Sequence, residues 1–299
     1  MITEKDKHMV YFSKWLKADY PSIYNEICEI LDTCGVDHDL MLGTEDYWCR
    51  DYMPVQIDKN GHFVQFVYSP DYLKDDAKYM TDTDNVLKKM DFDDSRFQVK
   101  KSQLVVDGGN IVVCEGKSQQ YVVMTDKVMN ENPTYTREQI EQMLIEAFAT
   151  RADGNIPKIV WLPWDPEDKC GHTDGILRYV GINAEGNPVV LTNLSLYEDK
   201  YAVPMRNILN GHFEVVELTL SQYDENSWAY INCLQTDSCI IVPGIGNPIT
   251  DKEALEQIKS LYPQYKDKVY QVQMKNLITK WGGALNCCTW TVTDNFKNK

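Results

Sequence analysis

The sequence has no long hydrophobic run and no cysteine framework. No apolar stretch approaches the roughly 20 residues needed to cross a bilayer, and the first residues, MITEKDKHMVYFSKWLK, lack the apolar core of a secretory signal. The nine cysteines are scattered, without the repeated CxxC spacing of zinc sites or the dense pattern of disulfide-bonded secreted domains. We therefore expect reduced thiols in a cytoplasmic protein, and no association with a membrane.

Positive charge is also scarce. The chain carries 30 Lys and Arg against 45 Asp and Glu, a formal net charge of −15. This balance argues against nucleic acid or an anionic membrane surface as the main partner, because both are polyanions. It suits a small cationic substrate, although solubility alone also explains it. With 43% hydrophobic residues the chain can bury an ordinary globular core.

Short strand-like runs alternate with helices over residues 1–299, without a linker or a low-complexity segment. We expect one α/β domain. Residues 1–35 are predicted to be mainly helical, with Ser22 capping a helix that ends at Gly35. Two further helices are predicted to open with capping boxes, one at Thr136 and one at Thr250, each with Gln or Glu three residues later.

Several polar, glycine-containing segments interrupt this pattern. Residues 44–54 are predicted to be a loop, and residues 107–110, DGGN, either a hairpin turn or a glycine-rich kink in a strand. Asp51, Asp107, His172, Thr236 and Cys287 follow one another at intervals of 51–65 residues. A structural unit of roughly 60 residues, repeated about five times, would bring such segments toward one centre.

The stretch WGGALNCCT at 281–289 is the candidate nucleophile segment. Glycines allow close approach to a ligand, and a cysteine just beyond them can carry a thiolate into a pocket. The alternative is a packed strand with two small buried thiols, Cys287 and Cys288.

His172, in a glycine-rich acidic loop, is the best candidate for the base that such a thiol needs. Asp174 would lie on the same side of a locally extended chain and could orient the imidazole or bind a cation. Asp51 is either a second such carboxylate or half of a surface ion pair with Arg50. Two carboxylates suit a planar guanidinium, since each accepts two of its N–H groups. Trp48 either covers that cation or packs in the core.

Five segments in order carry a family resemblance: WCRD (48–51), DGGN (107–110), GHTDG (171–175), YIN (230–232) and GGALNCCT (282–289). Together they resemble the agmatine deiminase and Porphyromonas-type peptidyl-arginine deiminase family, from about residue 44 to 291. The resemblance implies the pentein fold, an α/β propeller of five ββαβ-like modules around a pseudo-fivefold axis, in a single catalytic domain.

The resemblance also implies roles for particular residues. Cys287 matches the nucleophile and His172 the general acid/base, while Asp51 and Asp174 match the guanidinium-binding carboxylates. The positions expected to contact substrate are Trp48, Asp168 and Gly283. The sequence departs from the family pattern at four places: Asn286 where a His is common, Cys288 where an apolar residue is usual, Asp168 where Glu is frequent, and DGGN in place of EGG.

The expected reaction is hydrolysis of a guanidinium to a ureido group and ammonia through a covalent thiouronium, with agmatine as the leading substrate and N-carbamoylputrescine, a precursor of putrescine in polyamine biosynthesis, as the product. No metal or organic cofactor is expected. The alternatives are a peptidyl- or free-arginine deiminase, an amidinotransferase, and a non-catalytic pentein that binds a guanidinium or a protein. The sequence leaves open the substrate tail, homo-oligomer formation, the role of Cys288 and regulation by thiol oxidation.

Overall fold

Five small mixed sheets form the framework of the chain. The computed structural model describes residues 1–149 and 156–298. The strands are β1 (Met9–Ser13), β2 (Asp37–Met41), β3 (Val55–Gln56), β4 (His62–Val67), β5 (Gln98–Val105), β6 (Val112–Glu115), β7 (Gln120–Thr125), β8 (Lys158–Leu162), β9 (Leu177–Ile182), β10 (Pro188–Thr192), β11 (Glu214–Glu217), β12 (Leu234–Gln235), β13 (Ile240–Gly244), β14 (Val269–Gln273) and β15 (Thr289–Val292). The helices are α1 (Lys14–Asp19), α2 (Pro21–Cys34), α3 (Cys49–Tyr52), α4 (Thr83–Met90), α5 (Lys127–Glu131), α6 (Arg137–Phe148), α7 (Asp199–Asn210), α8 (Pro248–Leu261) and α9 (Lys275–Trp281).

All five sheets repeat one topology. Their strand orders are β15-β1-β2, β3-β4-β5, β6-β7-β8, β9-β10-β11 and β12-β13-β14. In each, the middle strand pairs antiparallel with the first strand and parallel with the third. Parallel neighbours require a crossover, and here each crossover contains at least one helix, for example α4 between β4 and β5. The repeated unit is therefore ββαβ, and in the first sheet the C-terminal β15 supplies the antiparallel strand.

The cores lie between neighbouring units. Side chains from β4 and β5 of one sheet and β7 of the next pack together under α6, which contributes Ile140, Leu144 and Phe148, all fully buried. Among the described residues, no helix is both long and apolar enough to cross a membrane.

Several local expectations from the sequence are wrong. Residues 1–35 are mainly helical as expected, since α1 with 6 residues and α2 with 14 make up more than half of them, but Met9–Ser13 is a central strand that the sequence did not predict. All five of its residues are buried, so it lacks the period-two alternation that marks a half-exposed strand. The helix that follows starts at Pro21 rather than after Ser22, although it ends at Gly35 in the left-handed conformation as expected.

Two turn assignments also need correction. DGGN is not a hairpin turn, since β5 before it and β6 after it belong to different sheets, and its last three residues form a 3-10 turn. The loop predicted at 44–54 contains the short helix α3. The Thr136 capping box is present, whereas the helix predicted at Thr250 is capped by Asn247, whose side chain accepts from the Ile249 amide.

Candidate active site

One large cavity collects the residues that the sequence singled out. Its volume is about 790 Å³. All seven predicted site residues line it: Trp48, Asp51, Asp168, His172, Asp174, Gly283 and Cys287. Residues as far apart in the sequence as Trp48 and Cys287, which are separated by 239 positions, therefore line the same cavity.

Each sheet contributes to this centre the turn that leads into its antiparallel outer strand. Asp51 lies in α3 just before β3, and Asp107 opens the turn before β6. Asp174 lies in the turn before β9, Asn232 follows the turn before β12, and Cys287 comes two residues before β15. The repeated topology explains why these five positions recur at intervals of 55–67 residues. Thr236, which the sequence placed in the same series, instead follows β12, where its hydroxyl accepts the Ser238 and Cys239 amides.

Cys287 is held by two polar side chains. Its backbone N–H donates to Asn232 Oδ1 at 3.2 Å, and its thiol approaches the same oxygen at 3.3 Å and Asp174 Oδ2 at 3.8 Å. Burial and the nearby carboxylates of Asp174 and Asp51 raise the pKa of the Cys287 thiol well above its ordinary value. The thiol is therefore protonated at neutral pH in the free site. Cys288 is fully buried and its thiol faces the Leu285 carbonyl at 3.5 Å.

His172 lies between two carboxylates. Its Nε2 is 3.1 Å from Asp107 Oδ2, and its Nδ1 is 3.6 Å from Asp51 Oδ1. Burial alone would lower the pKa of His172, but the charge of Asp51 and the hydrogen bond to Asp107 outweigh it and raise the pKa well above the ordinary value. The imidazole is therefore held as a cation that can donate a proton. Gly109 is required here, because a Cβ at that position would lie 2.6 Å from His172 Nδ1.

Asp51 and Asp174 both line the cavity, and different contacts hold them there. Asp51 Oδ1 accepts the Gly109 amide at 3.0 Å, and burial raises the pKa of its carboxyl despite the neighbouring imidazole. The surface pair of Asp51 with Arg50 is absent from the described chain, since Asp51 is buried and the Arg50 side chain turns away from it. Nor is the chain extended from His172 to Asp174: it forms a 3-10 turn that directs the imidazole toward Asp107 and the carboxylate toward Cys287.

A buried chain of hydrogen bonds fixes Asp174 from behind. Asn286 Nδ2 donates to Asp174 Oδ2 at 2.7 Å, and Asn286 Oδ1 accepts from Arg50 Nη2 at 3.2 Å. Arg50 Nη2 also donates to Thr291 Oγ1 at 3.1 Å. Asn286, one of the departures from the family pattern, therefore links the Arg50 guanidinium to the carboxylate beside the nucleophile.

Trp48 and Gly283 form a close contact in the wall. A Cβ on Gly283 would lie 2.2 Å from Trp48 Cζ3, so only glycine leaves space for the indole.

Asp168 lines the cavity, but its Oδ1 already accepts the amides of Cys170 and Gly171, both at 3.1 Å. It therefore shapes the loop that carries His172.

Sequence reasoning missed four functional candidates. Asp107 and Asn232 belong to the quoted segments DGGN and YIN, so the motifs contained them without indicating their contacts. Tyr72 donates to Asp107 Oδ2 at 2.9 Å from a short 3-10 turn, Asp71–Leu73, that no motif marked. Asp46 lines the cavity, and burial raises the pKa of its carboxyl to about 8.

The mouth of the cavity is acidic and aromatic. Five exposed carboxylates lie along it: Asp19, Glu45, Asp76, Asp224 and Glu225. Aromatic side chains also line the cavity, among them Trp15, Tyr47, Tyr79, Trp228 and Trp281. No Lys or Arg lines the cavity within the described ranges 1–149 and 156–298. Across those ranges, no group of three or more His, Cys, Asp or Glu side chains is arranged to hold a metal ion.

Comparison with known proteins agrees with this geometry. The chain belongs to the Porphyromonas-type peptidyl-arginine deiminase family, whose family model matches residues 24–292. Its fold is similar to that of an agmatine deiminase of C. jejuni, at 18% identity and a TM-score of 0.72, over 98% of this chain and 95% of the other.

Two further solved structures share the fold. The agmatine deiminase of Enterococcus faecalis matches at 17% identity and a TM-score of 0.68, over 98% of this chain and 95% of that one. DDAH from Pseudomonas aeruginosa, solved with citrulline, matches at 16% identity and a TM-score of 0.58, over 95% of this chain and 99% of that one. At these identities the likeness shows the fold and not the activity or the substrate.

Proposed function

We propose that this chain is an agmatine deiminase, which hydrolyses agmatine to N-carbamoylputrescine and ammonia. The observation that carries the choice of substrate is the charge of the cavity, which is lined by carboxylates and, within the described residues, by no Lys or Arg. Agmatine is a dication whose amine tail suits this mouth. Free arginine ends in a carboxylate, which would face the exposed carboxylates of the mouth, and no described lining residue is a cation that could pair with it. The ammonium groups of Lys78 and Lys280 lie over the rings of Tyr79 and Trp281, at 4.8 and 4.9 Å from their centroids, outside that lining.

In the proposed complex, Asp51 and Asp174 hold the guanidinium from two sides and place its carbon at the Cys287 sulfur. The cation offsets the two negative charges that raise the thiol pKa, so binding favours release of the thiol proton to solvent water. The thiolate of Cys287 then bonds to the guanidinium carbon. His172, held as a cation by Asp107 and Asp51, gives its proton to the amino group that leaves as ammonia, and a thiouronium remains.

The second half of the reaction reverses the proton transfer. The neutral imidazole of His172 takes a proton from a water molecule, whose oxygen bonds to the same carbon. The carbon–sulfur bond then breaks while the hydroxyl proton of the adduct passes to the sulfur, so the ureido product leaves and Cys287 returns as the thiol. Asn232 positions the sulfur and Asp107 positions the imidazole. Five sheets of one topology, each with a turn that carries a residue of the proposed mechanism, support a propeller arrangement in which five units of one catalytic domain surround the site.

The test is ammonia release from agmatine, arginine and an arginine-containing peptide, with Cys287→Ala as the blank. We expect release from agmatine that is lost in the variant. Release from the peptide or free arginine alone would move the chain to the arginine deiminases. Turnover only with an added amine acceptor would indicate an amidinotransferase, and silence with every substrate a binding protein.

A second variant tests whether the exposed carboxylates of the mouth bind the amine tail of agmatine. Asp224→Asn with Glu225→Gln removes two exposed charges from the mouth, and we expect the KM for agmatine to rise about 3- to 10-fold at an unchanged kcat. The matched control is Glu256→Gln, a surface carboxylate on α8 that does not line the cavity. An equal effect of the control would show that net charge alone is responsible.

A further inference from the structure

A second, small cavity adjoins the active site on the inner side of Asp174. Its volume is about 60 Å³, and Asp174 lines both this cavity and the large one. We call it the basic cavity, because Lys7, Arg50 and Arg178 all line it. A space of this size holds roughly one small ion with a water molecule or two.

The charges around the basic cavity do not balance. The carboxylates in its wall are Glu4 and Asp174, against three cationic side chains. Glu4 Oε1 accepts from Lys7 Nζ at 2.6 Å and lies 3.5 Å from Arg50 Nη1, so a single carboxylate serves two cations. Among the described residues that line the cavity, one positive charge remains uncompensated, which is costly in a buried place.

The cations also carry N–H groups without acceptors. Arg178 is 6% exposed, and its Nη1 and Nη2 donate to the Cys233 carbonyl at 2.7 Å and to Gln235 Oε1 at 3.1 Å. Its Nε has no hydrogen-bond partner within residues 1–149 and 156–298. An ammonium group has three N–H groups, and Lys7 Nζ bonds only Glu4 among the described side chains. Buried donors of this kind are normally satisfied.

We propose that the basic cavity binds one small monovalent inorganic anion, such as chloride, between Lys7, Arg50 and Arg178. Such an ion only accepts hydrogen bonds and supplies the missing negative charge, whereas water brings donors as well and no charge. The state of Lys7 fits this site: burial, with the Arg50 and Arg178 guanidinium groups, lowers its pKa to about 8 although Glu4 acts in the opposite sense. A bound anion would raise this pKa back toward its ordinary value.

The test is thermal unfolding of the complete protein while chloride replaces gluconate at constant ionic strength. Gluconate is too large for the cavity, so the comparison separates a specific site from general screening. We expect a saturable rise in Tm of roughly 2–4 °C with chloride. Lys7→Met, which keeps the length of the side chain but not its charge, should lose that rise. The control Lys5→Met, at an exposed pair with Glu115, should keep it.

Two results would overturn the proposal: equal Tm values in chloride and gluconate, or an undiminished rise in Lys7→Met. If Lys7→Met does not fold, bromide replaces the variant as the probe. Crystals of the parent protein grown in bromide should show an anomalous peak within hydrogen-bond distance of Lys7 Nζ and Arg178 Nε, and a cavity without that peak would also refute the site. Neither measurement depends on the substrate, so the anion site and the deiminase proposal can fail separately.

Discussion

Asp46 offers the most quantitative test of the electrostatics around the site. Its side chain is 6% exposed, accepts the Trp48 amide at 2.9 Å and lies near the carboxylates of Asp51 and Asp107. Burial is the main cause that raises its pKa from 3.8 to about 8, and those two carboxylates add to it. Asp46→Asn keeps the shape and an acceptor for the Trp48 amide while removing the titration.

The direction in which the free energy of unfolding changes with pH follows from the proton that Asp46 holds in the native state. Between about pH 4 and pH 8 the native state holds a proton on Asp46 that the unfolded state has lost, so the parent loses stability as the pH rises through this window. The slope for one group is about 1.4 kcal/mol per pH unit. From pH 5 to pH 8 the variant should therefore gain up to about 4 kcal/mol over the parent, and about 2 kcal/mol if water reaches the carboxyl.

The assay is urea unfolding of parent and variant in reducing buffer at pH 5 and pH 8, read by circular dichroism. At each pH the free energy of unfolding of the variant is compared with that of the parent, so the contributions of other titrating groups cancel. Asp84→Asn, at an exposed carboxylate paired with Lys101, is the matched control and should show no pH-dependent gap. A gap for Asp46→Asn that stays constant within about 1 kcal/mol between the two pH values would refute the reasoning.

Three further predictions concern activity. Cys287→Ser should lose at least about 10³-fold in kcat because the covalent route is removed, while Cys288→Ala should stay within threefold; the reverse order would exchange their roles. Asn286→Ala should lower kcat/KM about 10-fold, since the carboxylate beside the nucleophile loses its 2.7 Å donor; a change below twofold, measured by ammonia release, would show that this contact is dispensable. Gly283→Ala should raise KM at least about 10-fold by displacing Trp48, with partial recovery when Trp48→Phe is added; an unchanged KM would contradict the proposed contact.

The sequence could predict which segments meet, but not how their side chains connect. The regular spacing from Asp51 to Cys287 reflects the repeated ββαβ unit, so five loops could be expected at one centre. The contact of Asp107 with His172 depends on the angle between two turns from different sheets, and no local pattern records it. Asn286 likewise stands in a quoted motif, yet its role depends on Arg50, 236 positions away.

The errors in secondary structure have equally specific causes. Met9–Ser13 is covered on both faces, so hydrophobic periodicity could not separate it from a helix. Thr250 and Glu253 have capping-box spacing, but they lie inside α8 because Pro248 starts the helix and Asn247 caps it. Glu253 instead accepts from the Ser221 amide at 2.8 Å, which is a tertiary contact that local spacing cannot reveal.

The pairing of β15 with β1 has a consequence for synthesis of the protein. Met9 pairs with Val292 and Phe12 with Thr289, so the first sheet gains its third strand only when both ends of the chain are present. Cys287 lies two residues before that strand. During translation β1 must wait until residues 289–292 have been synthesised, and closing so long a loop is entropically costly and slow. The nucleophile therefore reaches its partners only after the ribosome has released β15, so a nascent chain has no assembled site.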